Sequence, residues 1–294
     1  MATSSTGPLI PRRRLGAAFR ELREAHGETL QQTATALLFS PSKLSRIENG
    51  LGGDPHPRDV RDLIAHFDLT GSEQAARLDE LAAEARRPGW WQVPPYDMPS
   101  RLDTLISYES AASHIDAYAP TVVPGLLQTR EYARATLVRS APHLSADAVD
   151  GQVEVRMQRR HRLADRPTRP PRQCYAVPET ILHRQVGSAE VMREQLAALV
   201  RVAEDTLIDL HVIPFTAGIY EAVQLSDIFL FHFADDADTD VVAIERSQHI
   251  EFLDKPQTLA KYRGIFDRLS DYWLDRSASS AFIERVLQEK WWST

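Results

Sequence analysis

The sequence has one cysteine, four lysines and no long apolar segment. The lone Cys174 excludes a disulfide within the chain and a metal site built from cysteine pairs. It fits a reducing cytoplasm. No stretch approaches the roughly 20 uninterrupted apolar residues of a membrane span. The arginines near the start are not followed by the apolar core of a signal peptide. We therefore expect a cytoplasmic protein that does not interact with membranes.

The usual sequence signatures of enzymes are also missing. No G-x-S-x-G, P-loop or G-x-G-x-x-G motif occurs. The histidines after residue 100 are not spaced as a metal-binding pair on one helix. The best remaining catalytic candidates are Glu179, Glu221 and Glu245, near the ends of predicted strands. We expect no catalytic residues, no metal and no cofactor, and hence a protein that is not an enzyme.

Charge is unevenly distributed along the chain. The net charge is -7, yet residues 1–50 contain seven arginines and lysines against four acidic residues. A nucleic-acid-binding face requires local positive charge and not a basic protein as a whole. The composition therefore allows a DNA-binding region at the start of the chain.

Proline and glycine divide the chain. Residues 1–14 are predicted to be a flexible basic arm, and residues 15–87 a domain of about five helices. The segment 88–100 contains Pro88, Gly89 and three further prolines, which interrupt helices, so it is predicted to be a linker. Residues 101–294 form the predicted larger domain.

The larger domain alternates helical patterns with β-branched and aromatic runs. The predicted strands are 173–177, 208–214, 225–233 and 240–245. The predicted helices are 101–117, 128–139, 147–163, 188–205, 256–275 and 278–290. We expect an α+β regulatory and dimerisation domain with a small antiparallel sheet.

The segment Thr29–Gly50 predicts two short helices joined by a tight turn. Thr29 and Gln32 fit a capping box at the start of the first helix. Ser40 fits an N-cap, Pro41 the first position of the second helix, and Gly50 its end. A short second helix rich in hydrogen-bonding side chains is typical of a helix-turn-helix, whose second helix enters the major groove of DNA. The alternative is an ordinary helical hairpin with a solvated polar face.

Polar side chains on the outward face and at the helix starts are the predicted contacts to double-stranded DNA. An arginine run before the first helix is predicted either to reach a minor groove or phosphates, or to be a solvated charge run. The predicted DNA-binding residues are Gln31, Gln32, Ser40, Ser42, Lys43, Ser45, Arg46, Asn49, Arg12, Arg13 and Arg14.

The segment also resembles the XRE family of phage-repressor-like helix-turn-helix domains, in particular through Ser45-Arg46-Ile47-Glu48-Asn49-Gly50. The resemblance implies that Glu48 pairs with Arg20 or Arg23 and is structural. It also implies a glycine at the turn, where this chain has Leu38. A left-handed leucine costs about 1 kcal/mol or more, so a variant turn is expected.

Residues from about 91 to 276 resemble the C-terminal domain of WhiJ-like regulators. The resemblance is carried chiefly by Pro-Gly-Leu-Leu-Gln-Thr at 124–129 and Glu-Tyr-Ala-Arg-Ala at 131–135. It implies an XRE reader joined to a domain of unknown biochemical function. It also implies a small acidic partner protein.

The sequence thus predicts a nucleoid-associated, sequence-specific transcriptional regulator whose reader helix spans Pro41–Asn49. One reader covers only a half-site, so we expect a homodimer on a palindromic operator. The dimer contact is predicted in the larger domain, on an apolar segment near residue 290.

That segment carries Phe282, Ile283, Val286, Leu287, Trp291 and Trp292; the alternative is that it folds back onto its own domain. The alternative function is a small-molecule-sensing repressor whose pocket is lined by Tyr220, Phe229, Phe231 and Trp273.

Overall fold

The chain folds as two units that divide between Val93 and Pro94. The structure is a computed structural model, which describes residues 9–50, 55–87, 89–90, 101–166, 170–202, 204–234, 238–246 and 249–289. Among the helices of these residues, none has the length and apolar character needed to cross a membrane.

The described part of the first unit is helical, as expected. Buried Phe19, Leu44 and Leu63 are among the side chains of its apolar core. Its helices are α1 (Leu9–Ala25), α2 (Leu30–Ala36), α3 (Pro41–Glu48), α4 (Pro57–His66) and α5 (Glu73–Ala85).

The first helix begins earlier than the sequence predicted. Leu9 and Ile10 are both buried, and Pro11 lies in the first turn, where its missing N–H costs no helical hydrogen bond. Apolar burial therefore extends α1 toward the start of the chain. The predicted flexible arm over residues 1–14 is wrong for residues 9–14, and residues 1–8 lie outside the described part.

The second unit combines a mixed sheet with helices. Its strands are β1 (His114–Tyr118), β2 (Arg172–Pro178), β3 (Ile208–Ile213), β4 (Asp227–His232), β5 (Val241–Glu245) and β6 (Ile250–Leu253). Its helices are α6 (Leu102–Ala111), α7 (Arg130–Ser140), α8 (Ala146–Ala164), α9 (Thr180–His183), α10 (Ala189–Val202), α11 (Pro256–Leu269) and α12 (Arg276–Glu289).

The prediction of a small antiparallel sheet was wrong. The sheet has six strands in the order β3-β2-β1-β4-β5-β6. The pairs β1–β2 and β2–β3 are parallel, while β1–β4, β4–β5 and β5–β6 are antiparallel. Helices α7 and α8 connect β1 to β2, and α9 and α10 connect β2 to β3. Such helical crossovers return the chain in its original direction, so these strands are parallel.

Each face of the sheet is covered by helix. On one face, Leu230 and Val242 belong to a buried cluster with Leu259 and Phe266 of α11. On the other face, the Tyr108 ring of α6 lies 5.9 Å from Phe231, measured between centroids. Successive strand side chains point to opposite faces of the sheet. Because helices cover both faces, the strand residues on each face are buried.

The free edge of β3 is covered at Val212 by residues at the start of α12 and just before it. The Val212 backbone N–H donates to Ser279 Oγ at 3.0 Å, and the Leu274 N–H donates to the Val212 carbonyl at 2.8 Å. An edge strand with unpaired backbone groups is a template for unwanted strand pairing. At Val212, Ser279 of α12 and Leu274 before it occupy these backbone groups.

Candidate nucleic-acid interface

The two helices of the predicted reader begin where the sequence placed them. The Thr29 side chain accepts from the Gln32 N–H, while Gln32 Oε1 accepts from the Thr29 N–H at 2.8 Å. Ser40 Oγ accepts from the Lys43 N–H at 3.2 Å, and Pro41 is the first residue of α3. These caps satisfy backbone donors that each helix leaves open at its start. Gln32 and Ser40, both predicted DNA contacts, therefore also have structural roles.

The turn between the helices contains a left-handed leucine. Leu38 has φ +55° and its side chain is 93% exposed. The Phe39 N–H donates to the Ala34 carbonyl at 2.8 Å and the Leu38 N–H to the Thr35 carbonyl at 3.2 Å. This is the Schellman pattern of helix termination, in which glycine usually occupies the position of Leu38. The turn keeps the ordinary geometry with a strained residue.

Helix α3 is held against α1 by a buried ion pair. Arg23 Nε donates to Glu48 Oε1 at 2.7 Å, and Arg23 Nη2 donates to Glu48 Oε2 at 3.0 Å. The Glu48 side chain is 3% exposed. The hydrogen bond with Glu48 raises the pKa of Arg23. The predicted pairing of Glu48 with an arginine of the first helix is confirmed, and Glu48 faces the protein interior.

Glycine permits the close contact between these helices. A Cβ added at Gly16 would lie 2.3 Å from the Ile47 carbonyl oxygen and 2.7 Å from that of Glu48. Both atoms belong to backbone, which cannot move aside cheaply. Gly16 on α1 therefore sets the depth at which α3 packs, and with it the orientation of the outward face of α3.

The predicted contact residues on α3 differ in their surroundings. Ser42 and Arg46 are exposed, and Ser45 is half-buried. Within the described part of the chain, Arg46 has no hydrogen-bond or ion-pair partner. Its guanidinium is therefore available for a ligand.

Lys43 and Asn49 are tied into the unit. Lys43 Nζ donates to Asp59 Oδ1 at 2.7 Å and lies 3.9 Å from the centroid of the Phe39 ring. Asn49 Oδ1 accepts from Arg20 Nη2 at 2.6 Å, and its Nδ2 donates to the Ser45 carbonyl at 2.6 Å. Neither pairing was predicted, because each joins residues that are distant in sequence. Asn49 would have to exchange partners to contact DNA, whereas Lys43, whose side chain is 37% exposed, has further ammonium N–H donors beside the one given to Asp59.

The start of α2 adds two exposed glutamines. Gln31 Nε2 donates to Thr35 Oγ1 at 3.4 Å, a long hydrogen bond that a stronger acceptor would replace at little cost. Gln32 is exposed but engaged in the capping box. Of the two, Gln31 is therefore the less constrained candidate for DNA contact.

The arginine run lies on α1 and does not form one continuous patch. Arg12 is buried, Arg13 is half-buried and Arg14 is exposed. A Cβ added at Gly50, which has φ +64°, would lie 2.8 Å from the Arg13 backbone nitrogen. The run is therefore packed beside the end of α3, and an extended arm built on these three residues is wrong.

Glu28 is the centre of a small hydrogen-bonded network in the first unit. Glu28 Oε2 accepts from the buried Thr33 hydroxyl and lies 2.9 Å from His66 Nε2. The Thr33 hydrogen bond, followed by that of His66, lowers the pKa of Glu28. This network joins the loop before α2 to the end of α4.

The second unit does not assemble the predicted sensor pocket. Phe229 and Phe231 point to the sheet face opposite that of Tyr118, since Tyr118 pairs with Ile228 in the register. Tyr220 contacts Tyr118 through their hydroxyls at 3.1 Å. The Trp273 ring stacks on His211 at 4.3 Å between centroids. These aromatic residues are divided between different parts of the unit, so a pocket lined by all four was a wrong prediction.

A comparison with protein families gave two matches. Residues 14–77 match a helix-turn-helix domain, which places the first unit in a class of domains that bind DNA and serve in transcription regulation. Residues 102–285 match the family described as a domain of unknown function (DUF5753). That match covers more than half of the chain, and the chain belongs to this family. A comparison with curated proteins gave no match.

Proposed function

We propose that the protein is a sequence-specific transcriptional regulator whose helix α3 reads the major groove of DNA. The observation that carries this proposal is the outward face of α3. Its exposed Arg46 and Ser42 stand on a helix that Glu48 and Arg23 fix from behind. Arginine reads guanine through O6 and N7, and serine can donate to or accept from either type of base pair.

The contacts of α3 suggest different roles for its side chains. Arg46 is the proposed base reader, because it is exposed and has no partner within the described residues. Lys43, paired with Asp59, and Asn49, paired with Arg20, are proposed to position the reader. Gln31 and the exposed Arg14 are proposed to contact phosphates, which set the register of a protein on DNA.

Selection of duplexes from a random DNA pool by the full chain tests this function. We expect enrichment of a motif with two-fold symmetry and half-sites centred about 34–36 Å apart. Enrichment of a single asymmetric motif would retain sequence reading and remove the palindromic operator. A pool that stays random through successive rounds would overturn the proposal.

The second unit is proposed to be regulatory and not catalytic, as in WhiJ-like regulators. Burial raises the pKa of the Cys174 thiol to about 12, which makes it a poor nucleophile at neutral pH. Of the glutamates considered from sequence, Glu179 accepts from the Phe215 N–H at 2.7 Å and Glu221 pairs with Arg268 at 2.6 Å. Structural contacts thus account for the positions of these two carboxylates.

We further propose that the second unit forms a homodimer, but through a different surface from the one predicted. Ile283 and Val286 on α12 are buried within their own unit, while Trp291 and Trp292 lie outside the described residues. The segment after β3 instead exposes large apolar side chains, which often mark interaction surfaces. These are Phe215 at 61%, Ile219 at 89% and Val223 at 45%.

Light scattering on the full chain tests the dimer. We expect a dimer at micromolar concentration and a monomer for Ile219→Asp, because a buried unpaired carboxylate disfavours the contact. Val138→Asp is the control, since Val138 is likewise an exposed apolar residue, at 51%, but lies on α7. A dimeric Ile219→Asp variant would remove this surface from the proposal.

We propose that a small acidic partner protein binds the second unit and regulates the protein, with a small-molecule effector as the alternative. A ligand that binds the folded state raises the melting temperature in a concentration-dependent way. A thermal-shift comparison of the full chain with candidate acidic proteins and with a metabolite panel separates the two. A shift with metabolites alone would favour the sensor and contradict the partner.

A further inference from the structure

Three potential metal ligands, distant in sequence, meet on one face of the sheet. His114 and Asp116 lie on β1, and His232 lies on the neighbouring β4. The register pairs His114 directly with His232. Since strand side chains alternate between faces, all three project from the same face. Sequence spacing could not indicate this group, because β1 was predicted as helix and β4 follows more than one hundred residues later.

The distances within the group are short. Asp116 Oδ1 lies 2.8 Å from His114 Nε2, and Asp116 Oδ2 lies 2.9 Å from His232 Nε2. One ligand atom from each of the three residues falls within 4.8 Å of the others. The side chains are 35%, 19% and 26% exposed for His114, Asp116 and His232, so solvent reaches them. An ion can therefore reach the three side chains from solvent without unfolding of the protein.

An outer carboxylate fixes the orientation of one histidine. His232 Nδ1 lies 2.7 Å from Asp240 Oδ2, and Asp240 in turn pairs with Arg263 of α11. A neutral imidazole carries one N–H. If Nδ1–H donates to Asp240, Nε2 presents a lone pair toward the Asp116 carboxylate. A cation between Nε2 and the carboxylate satisfies both groups, and carboxylate–histidine–metal arrangements of this kind are common in metal sites.

We propose that His114, Asp116 and His232 bind a divalent first-row transition ion, with Zn²⁺ as the ion to test first. Imidazole and carboxylate are suitable ligands for Zn²⁺, and three protein ligands leave a position open for water or another ligand. Asp240 is a positioning residue that acts through His232. The ion would join β1 to β4, the central pair of the sheet, where its parallel half meets its antiparallel half. This proposal is independent of DNA binding.

Calorimetric titration of the full, tag-free chain with Zn²⁺ tests the site. We expect one ion per chain at this site. His114→Ala and His232→Ala should each lose more affinity than the about 10–100-fold expected for Asp240→Asn, which removes only an outer partner. His143→Ala is the control, because His143 is exposed and outside the cluster, and it should retain the affinity of the unaltered chain.

X-ray absorption on the unaltered, zinc-loaded chain keeps the proposal testable if a variant fails to fold. Two imidazole nitrogens at about 2.0–2.1 Å from the ion would support it. Zinc bound with fewer than two imidazoles would overturn it. A failure to take up any zinc would also overturn it. In that case the contacts of His232 with Asp116 and Asp240 would be hydrogen bonds alone.

Discussion

Removal of the Glu48 carboxylate should destabilise the first unit far more than removal of a surface charge. In Glu48→Ala, Arg23 keeps its charge but loses both hydrogen bonds to the carboxylate. Breaking a buried pair by deleting one partner costs about 3–5 kcal/mol. The Arg23 side chain is 12% exposed, so water compensates in part. We therefore expect the lower end, about 3 kcal/mol, a large fraction of the stability of a small domain.

Hydrogen exchange followed by mass spectrometry on the full chain measures this loss where it occurs. A loss of 3 kcal/mol corresponds to about 100-fold faster exchange of the core amides of α1 and α3 if they exchange by unfolding of the unit. Amides in β1 to β6 report on the second unit and should be unchanged. Glu24→Ala is the matched control: Glu24 also contacts Arg23, at 3.5 Å, but its side chain is 62% exposed. Its loss should cost less than about 1 kcal/mol.

The comparison between the two variants decides whether burial matters. If Glu48→Ala and Glu24→Ala speed exchange in α1 and α3 to the same extent, the pair is an ordinary surface contact. The argument that Glu48 fixes α3 from behind would then be wrong.

Three further predictions follow from backbone geometry and buried charge. Leu38→Gly should raise the unfolding free energy by up to about 1 kcal/mol, because it removes left-handed strain and loses no core contact; urea unfolding that shows a loss would contradict this. Gly16→Ala should lower the melting temperature and weaken DNA binding together, since its Cβ would meet the Ile47 carbonyl; unchanged binding with normal stability would refute the packing argument. Burial, with the charge of Glu245, raises the pKa of Asp227 to about 7. The folded state therefore keeps a proton that the unfolded chain releases near pH 4, and stability falls as pH rises between these values. Asp227→Asn should be more stable than the unaltered chain at pH 8, with the difference shrinking by pH 5; equal differences at both pH values would contradict it.

Local signals in the sequence were sufficient for the reader helices. The caps at Thr29 and Ser40 involve residues within three positions of each other, so their patterns predict α2 and α3 closely. The pairings of Lys43 with Asp59 and of Asn49 with Arg20 were not predictable in this way. They depend on how α1 and α4 pack against α3, which helical periodicity does not specify.

The sheet illustrates the same difference at larger scale. The sequence pattern predicts helix over 101–117, which includes most of β1, because no proline or glycine interrupts the helical pattern of α6 there. Because the sequence does not predict β1, the helices before β2 are not recognised as a crossover between two strands. The parallel pairs of strands are therefore not predicted either. Strand order is set by contacts between residues far apart in sequence, and the metal-binding candidates on β1 and β4 were hidden for the same reason.

The central claim, that α3 reads DNA sequence, is tested most directly by the binding of Arg46→Ala to two duplexes. Fluorescence anisotropy would compare the full chain and its variants on a selected site and on a scrambled duplex at one salt concentration. We predict a loss of about 1–3 kcal/mol on the selected site and little change on the scrambled duplex. Arg77→Ala, an exposed arginine on α5, should match the unaltered chain on both. Equal losses on the two duplexes would make Arg46 a phosphate contact, and no loss on either would contradict the claim that α3 is the reader.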